Sequence, residues 1–188
     1  MSGNSLRNKL PIPQNPISEI FAWREWLQRL GNRAFSSYGA FSDYTSQALV
    51  STTASQVMTF DTTDLTSGDV VVVSGSKLTV TTSGVYNFQW SGQFKSTSTS
   101  TQDAYVWIRI NGVDVVGSTG LVYIPSSHGG VDGHIIAGWN FLLSLTANDY
   151  LELVWGGSST AVSIATIAAG TSPTRPSTAS LIATFQQV

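Results

Sequence analysis

From Ala40 to the C-terminus the chain is a succession of short segments rich in β-branched and aromatic residues, each closed by Gly, Ser, Thr or Asn. That rhythm predicts strands at about 47–51, 56–61, 69–73, 77–81, 84–94, 104–110, 113–117, 120–124, 134–145, 150–155, 161–168 and 179–187. So many short strands with close turns pack as an antiparallel sandwich, which closes its own core. Residues 1–33 break the pattern. They read as an extended arm followed by one amphipathic helix, an appendage that a closed β domain does not need for folding. The expected organisation is therefore an anchoring arm and helix over 1–33 and a head domain over 34–188, in a chain that is mainly β.

Pro11 and Pro13 favour an extended, polyproline-like path without internal hydrogen bonds. Asn15 suits the N-cap of the helix that follows, Pro16 its first position, and Gly31 a left-handed stop. The spacing predicts a helix over 16–30. Its apolar stripe is Ile17, Ile20, Phe21, Leu27 and Leu30, widened by Trp23 and Trp26. Two indoles beside a complete stripe exceed what one packing surface requires, and Trp is a frequent interface anchor. Packing on the chain's own head is the alternative. The arm carries Arg7, Lys9, Arg24, Arg29 and Arg33 against Glu19 and Glu25, whereas the remainder has four basic and nine acidic residues. A basic arm on an acidic body suits attachment to an acidic surface. Five dispersed cations are too few for a nucleic-acid site, which requires a dense basic patch with stacking aromatics.

Two strands are legible in detail. Gly84 to Phe94 places Tyr86, Phe88, Trp90 and Phe94 on one face and Asn87, Gln89, Ser91 and Gln93 on the other. Tyr105 to Ile110 places Val106, Ile108 and Ile110 inward and leaves Tyr105, Trp107 and Arg109 outward, and Asn111-Gly112 then signals a tight hairpin. An outward aromatic pair with an arginine is either surface chance or a subunit contact; because a closed monomer rarely leaves clustered large aromatics in water, Tyr105, Trp107 and Arg109 are the expected self-association residues.

Little in the chain points to chemistry. There are no cysteines, hence no disulfide, thiolate ligand or cysteine nucleophile. His128, Asp132 and His134 match no standard metal spacing, and the glycines among them are explained by turns. Asp61, Asp64 and Asp69 fit turn caps better than a calcium loop. Asp132, Asp149 and Glu152 would need to converge in space to serve as a hydrolytic pair, and no nucleophile elbow or phosphate-cradling loop is present. The expectation is a non-enzyme with no catalytic residues, no cofactor and no metal. The N-terminus lacks the pattern of a secretory leader and no apolar run has membrane-span length. That implies a protein made in a cytoplasm, with no membrane partner.

The order of segments resembles the globular-head jelly roll shared by the first complement component and tumour necrosis factor. The resemblance rests on Ala40-Phe41-Ser42 opening the domain, Thr82-Ser83-Gly84-Val85-Tyr86-Asn87-Phe88 leading the aromatic strand, Val106 to Val113 with its hairpin, Leu143 to Leu153, and a last strand from Ser180 to Gln187. Asn148 stands where that family usually has Gly before Asp, and 156–178 is longer and richer in Ala, Ser and Thr. The resemblance implies a homotrimer. With no collagen-like stalk or cytokine anchor, the arm and helix look like the anchoring end of bacteriophage virion proteins that use this head. The expected function is thus a trimeric capsid decoration, or cement, protein on the virion surface. Pro11, Pro13 and the helix stripe would grip the major capsid protein or another virion protein. The alternative is a short fibre or fibre-tip protein that reads a host receptor or glycan through aromatic-bearing loops, those with His128, Trp139 and Trp155.

Overall fold

Alternation of large apolar and polar side chains over Gly84–Ser96 builds the strand around which the head is organised. The computed structural model describes residues 36–188 together with Trp23, Arg24, Trp26, Leu27 and Gly31. The chain divides into two compact units, Met1–Ser36 and Ser37–Val188. In the first, Trp23, Arg24, Trp26, Leu27 and Gly31 have helical backbone, and the Trp23 and Trp26 rings meet edge to face with centroids 5.5 Å apart. Gly31 is helical rather than the left-handed stop expected of it. Pro11, Pro13, Ile17, Ile20, Phe21 and Leu30 lie outside the described residues, as does most of the expected helix.

The head is an antiparallel sandwich, its strands numbered in chain order. One sheet holds β1 (Tyr38–Asp43), β2 (Gln47–Ala48), β4 (Thr62–Thr66), β7 (Gly84–Ser96), β11 (Gly133–Leu145), β13 (Val162–Ile164) and β16 (Leu181–Gln187). The other holds β3 (Gln56–Val57), β5 (Val70–Val73), β6 (Lys77–Val80), β8 (Gln102–Ile110), β9 (Val113–Asp114), β10 (Gly120–Ile124) and β12 (Tyr150–Gly157). A separate two-stranded ladder joins β14 (Gly170–Thr171) to β15 (Thr174–Arg175).

Strand β7 pairs along its whole length with β11, which forms the edge on that side. Its other side is shared end to end by β16, opposite Tyr86 to Gly92, and β13, opposite Phe94 to Ser96. The inward side chains of β7 meet those of β8 and β12. Phe88 lies 4.8 Å from Phe185, centroid to centroid, and Phe94 stands edge-on to Trp155 at 6.1 Å. Tyr86, Phe88, Phe94, Ile108, Leu151, Leu153 and Trp155 are fully buried. Burying each such side chain contributes roughly 1.5–3 kcal/mol.

Local signals also hold. Asn111 and Gly112 both have positive φ, 50° and 81°, the requirement of a two-residue turn whose twist suits a hairpin, and Ile110 faces Val113 across it. Asn148 has φ 73°, so it supplies the left-handed residue that the related pattern takes from Gly; its short amide makes that tolerable.

The expected β12 stops too early. It continues through Gly156 and Gly157 because Tyr105 and Ala104 of β8 pair with them. Trp155 is fully buried in the core and Trp139 lies within β11, so of the three residues tied to recognition loops only His128 is on one. The strands β1 and β4 are absent from the expected set, as are β14 and β15.

The chain enters and leaves the head at the Gly84 end of β7. Tyr38 pairs with Gln186, and the Gln187 N–H donates to the Ser37 carbonyl at 2.8 Å. The Ser96 end carries the loops 97–101, 125–132 and 158–161. They are tied together by the Ser127 N–H to Ser98 (2.7 Å) and the Thr97 N–H to Ala161 (3.1 Å).

Candidate interaction surface

Because side chains alternate along a strand, the register of the first sheet fixes what it shows to solvent. From β11 come His134, Ile136, Gly138, Asn140 and Leu142, directly opposite Lys95, Gln93, Ser91, Gln89 and Asn87 of β7. From β16 come Ile182 and Thr184, opposite Ser91 and Gln89. Ile136 is 65% exposed, Leu142 68% and Ile182 44%. Between them lie uncharged amides and hydroxyls, and the Asn140 amide donates to the Asn87 side chain. Lys95, at one end, is neutralised by Asp132 at 3.1 Å. Depletion of charge around exposed apolar side chains distinguishes the centre of an interface from ordinary surface. Gly138 leaves bare backbone there, and the depression it helps line has a volume of about 470 Å³.

The adjoining edge of the sandwich is also apolar. Ile135, Ala137, Trp139 and Phe141 belong to the inward side of β11, but an edge strand leaves them only partly covered. The Trp139 ring stacks on Phe141 with centroids 6.3 Å apart and lies over Gly120 of β10, where a Cβ would come within 2.4 Å of the indole. Between β10 and β11 runs a groove of about 300 Å³ lined by Leu121, Tyr123, Ile135 and Trp139 among others. Face and edge together form one continuous surface that the head does not cover by itself.

Tyr105, Trp107 and Arg109 lie on the outer face of the other sheet. Val106 and Ile108 point inward as the alternation requires. The Trp107 indole N–H and the Arg109 Nε both donate to Asp114, at 2.8 and 2.9 Å. These bonds, the indole first, hold the Asp114 carboxyl below the ordinary aspartate value. Tyr105 is 42% exposed and sits opposite Leu121.

The side chains considered for chemistry are dispersed. Asp132 stands beside Lys95 at the Ser96 end. Asp149 lies at the Gly84 end, where the Asn111 amide and the Thr146 N–H, both at 2.7 Å, lower its pKa. Glu152 is buried and accepts a bond from the Ser76 hydroxyl. Asp61 accepts from the Tyr44 N–H, and Asp69 from the Ser67 and Thr81 hydroxyls. Among the described residues no three His, Cys, Asp or Glu side chains are grouped to hold a metal ion.

Asp114 and Asp149 have lower pKa values folded than unfolded. Each therefore contributes stability that is present above the ordinary aspartate value of about 4 and lost as pH falls through its lowered value. Thermal melts are expected to be flat near neutrality and to fall in that acid range. Asp149→Asn should start lower at neutral pH and lose less on acidification.

No family model and no curated protein matches the sequence. Among solved structures, the crystal structure of murine APRIL matches with a TM-score of 0.50, covering 81% of this chain and 99% of that one at 11% identity. The head has the tumour necrosis factor-type jelly-roll fold. Within that jelly roll, the sequence singles out Tyr105, Trp107 and Arg109 of β8, and the exposed apolar side chains on the outer face of β11 are not among its expectations. A signal was present: His134 to Leu145 shows none of the strict apolar–polar alternation of β7, so a strand there offers apolar groups on both faces.

Proposed function

We propose that this chain is a non-enzymatic homotrimeric structural protein, a capsid decoration protein. Its jelly-roll head self-associates through the outer face of β11, β7 and β16, and its residues 1–33 attach it to the capsid shell. The observation that carries the reading is the charge-poor surface around Ile136, Leu142 and Ile182, continuous with the apolar edge at Trp139. An edge and a face on the same molecule suit a head-to-tail contact, and a head-to-tail contact that closes makes a ring. The resemblance to trimeric heads of this fold selects three copies. Attachment through the arm rests on its two tryptophans and its basic charge, set against a head with more than twice as many acidic as basic residues.

Sedimentation equilibrium of the full chain tests the trimer, and a monomer at micromolar concentration would refute it. Cryo-electron microscopy of intact particles tests the location, with density expected over the capsid lattice. Particles lacking the protein should break at lower temperature, since a ligand of the assembled shell stabilises it by about 2.7 kcal/mol per site at a hundredfold excess over its dissociation constant. One observation favours the fibre-tip alternative: the loops 97–101, 125–132 and 158–161 lie at the end of the head opposite the chain's entry. Under that reading density would appear at the tail, and stripped particles would be equally robust but fail to adsorb.

A further inference from the structure

Residues 166–178 leave the first sheet through the gap between β13 and β16, since both strands pair with the same side of β7. The feet of this excursion are fixed by Gln93, whose carbonyl accepts from the Ala165 N–H and whose N–H donates to the Ser180 carbonyl, both at 2.8 Å. Above them the segment is built as an arm. Thr178 donates its N–H to Ile167 at 2.9 Å, the Thr166 hydroxyl donates to the Thr178 carbonyl at 2.6 Å, and Arg175 Nη1 donates to the Ala168 carbonyl at 2.8 Å. The ladder of β14 and β15 has only two residue pairs, and residues 171–177 are exposed throughout. A two-stranded ladder with no apolar backing is marginal in water. Such an arm is suited to take its backing from another molecule.

Two observations favour a second copy of this chain. Gln93, which holds both feet, pairs directly with Ile136, so the arm rises beside the surface assigned above to self-association. The second is charge. The head's other three cations are engaged: Lys95 with Asp132, Arg109 with Asp114, and Lys77 over the Tyr150 ring at 4.5 Å. Arg175 has no carboxylate within ion-pair distance among the described residues, and it is the sole charged residue after Glu152. A lone cation on a projecting arm complements the surplus of acidic groups on a neighbouring head.

We propose that residues 166–178 are a clasp that reaches onto a second copy of this chain and engages its acidic surface through Arg175. The inference rests on the self-association reading, which it deepens by adding a contact that the sheet face alone lacks. Pro173 and Pro176 restrict the arm's backbone and so reduce the ordering cost of docking.

The test is sedimentation equilibrium of three full-length proteins at low and high salt: wild type, a variant with 168–177 replaced by a short glycine-serine turn, and Arg175→Glu. Removing the arm is expected to weaken assembly by about tenfold or more. Arg175→Glu, which removes the bond to the Ala168 carbonyl but no contact of the head's core, should weaken it several-fold at low salt, with the difference shrinking at high salt because screening acts on the charge and not on the lost bond. An assembly constant unchanged in both variants, with wild type still assembled, would overturn the clasp and leave the sheet-face contact standing. A wild-type monomer would instead overturn self-association, and the clasp with it.

Discussion

Replacing Ile136 and Leu142 together by Lys is expected to yield a folded head that no longer self-associates. Both side chains point away from the core, opposite Gln93 and Asn87, so the isolated head should keep its stability within about 0.5 kcal/mol per site. In an assembly the same substitutions remove two apolar contacts and place two ammonium groups among amides and hydroxyls that offer no carboxylate. Burying unpaired charge at an interface costs several kcal/mol, roughly a hundredfold or more in the association constant. Sedimentation equilibrium and a thermal melt of the same sample separate assembly from folding. Tyr105→Lys, on the opposite sheet, should leave assembly intact. If Tyr105→Lys dissociates the head and the double variant does not, the contact belongs to the Tyr105, Trp107 and Arg109 surface.

Phe88→Ala should cause the largest loss of stability in the head. The ring is fully buried at the middle of β7, packs on Phe185 at 4.8 Å and stacks on Phe141 at 6.5 Å. β7 is held on both sides by other strands, so the cavity cannot close by backbone movement. Truncations of this kind cost about 3–5 kcal/mol. For a domain of this size each kcal/mol lowers the melting temperature by about 2–4 °C, so a drop on the order of 10 °C is expected. Phe141→Ala, at a partly covered edge position, should cost clearly less. Equal losses for the two would mean that Phe141 is buried in the assembled protein, which the concentration dependence of its melt would reveal.

The sequence by itself determined the local physics of this head. Period-two alternation placed Tyr86, Phe88, Trp90 and Phe94 inward, because one face of an antiparallel strand must meet the core. Asn111-Gly112 set a hairpin, because only such residues take positive φ at two successive positions without strain. The strands β4 and β12 show where local signals lose. Thr62 to Thr66 carries weak apolar content, and its pairing with Gly39 to Ser42 makes it a strand. Gly156 and Gly157 look like a turn, yet β8 draws them into the ladder.

Only tertiary structure decided which surfaces were left over. Ile136, Leu142 and Ile182 look like core residues until register places them on the outer face. The Thr- and Pro-bearing stretch 169–178 looks like an ordinary loop and 166–168 like the end of a strand, until β13 stops at Ile164 and docks end to end with β16 on one side of β7, so that the whole of 166–178 leaves the sheet. Both outcomes depend on contacts between residues far apart in the chain, such as Ser180 with Asp43 and Gln93 with Ser180. A short window of sequence carries the preference of each strand for its own conformation. The choice of neighbour and register is made by the burial of the whole core, and that choice sets what remains exposed for binding.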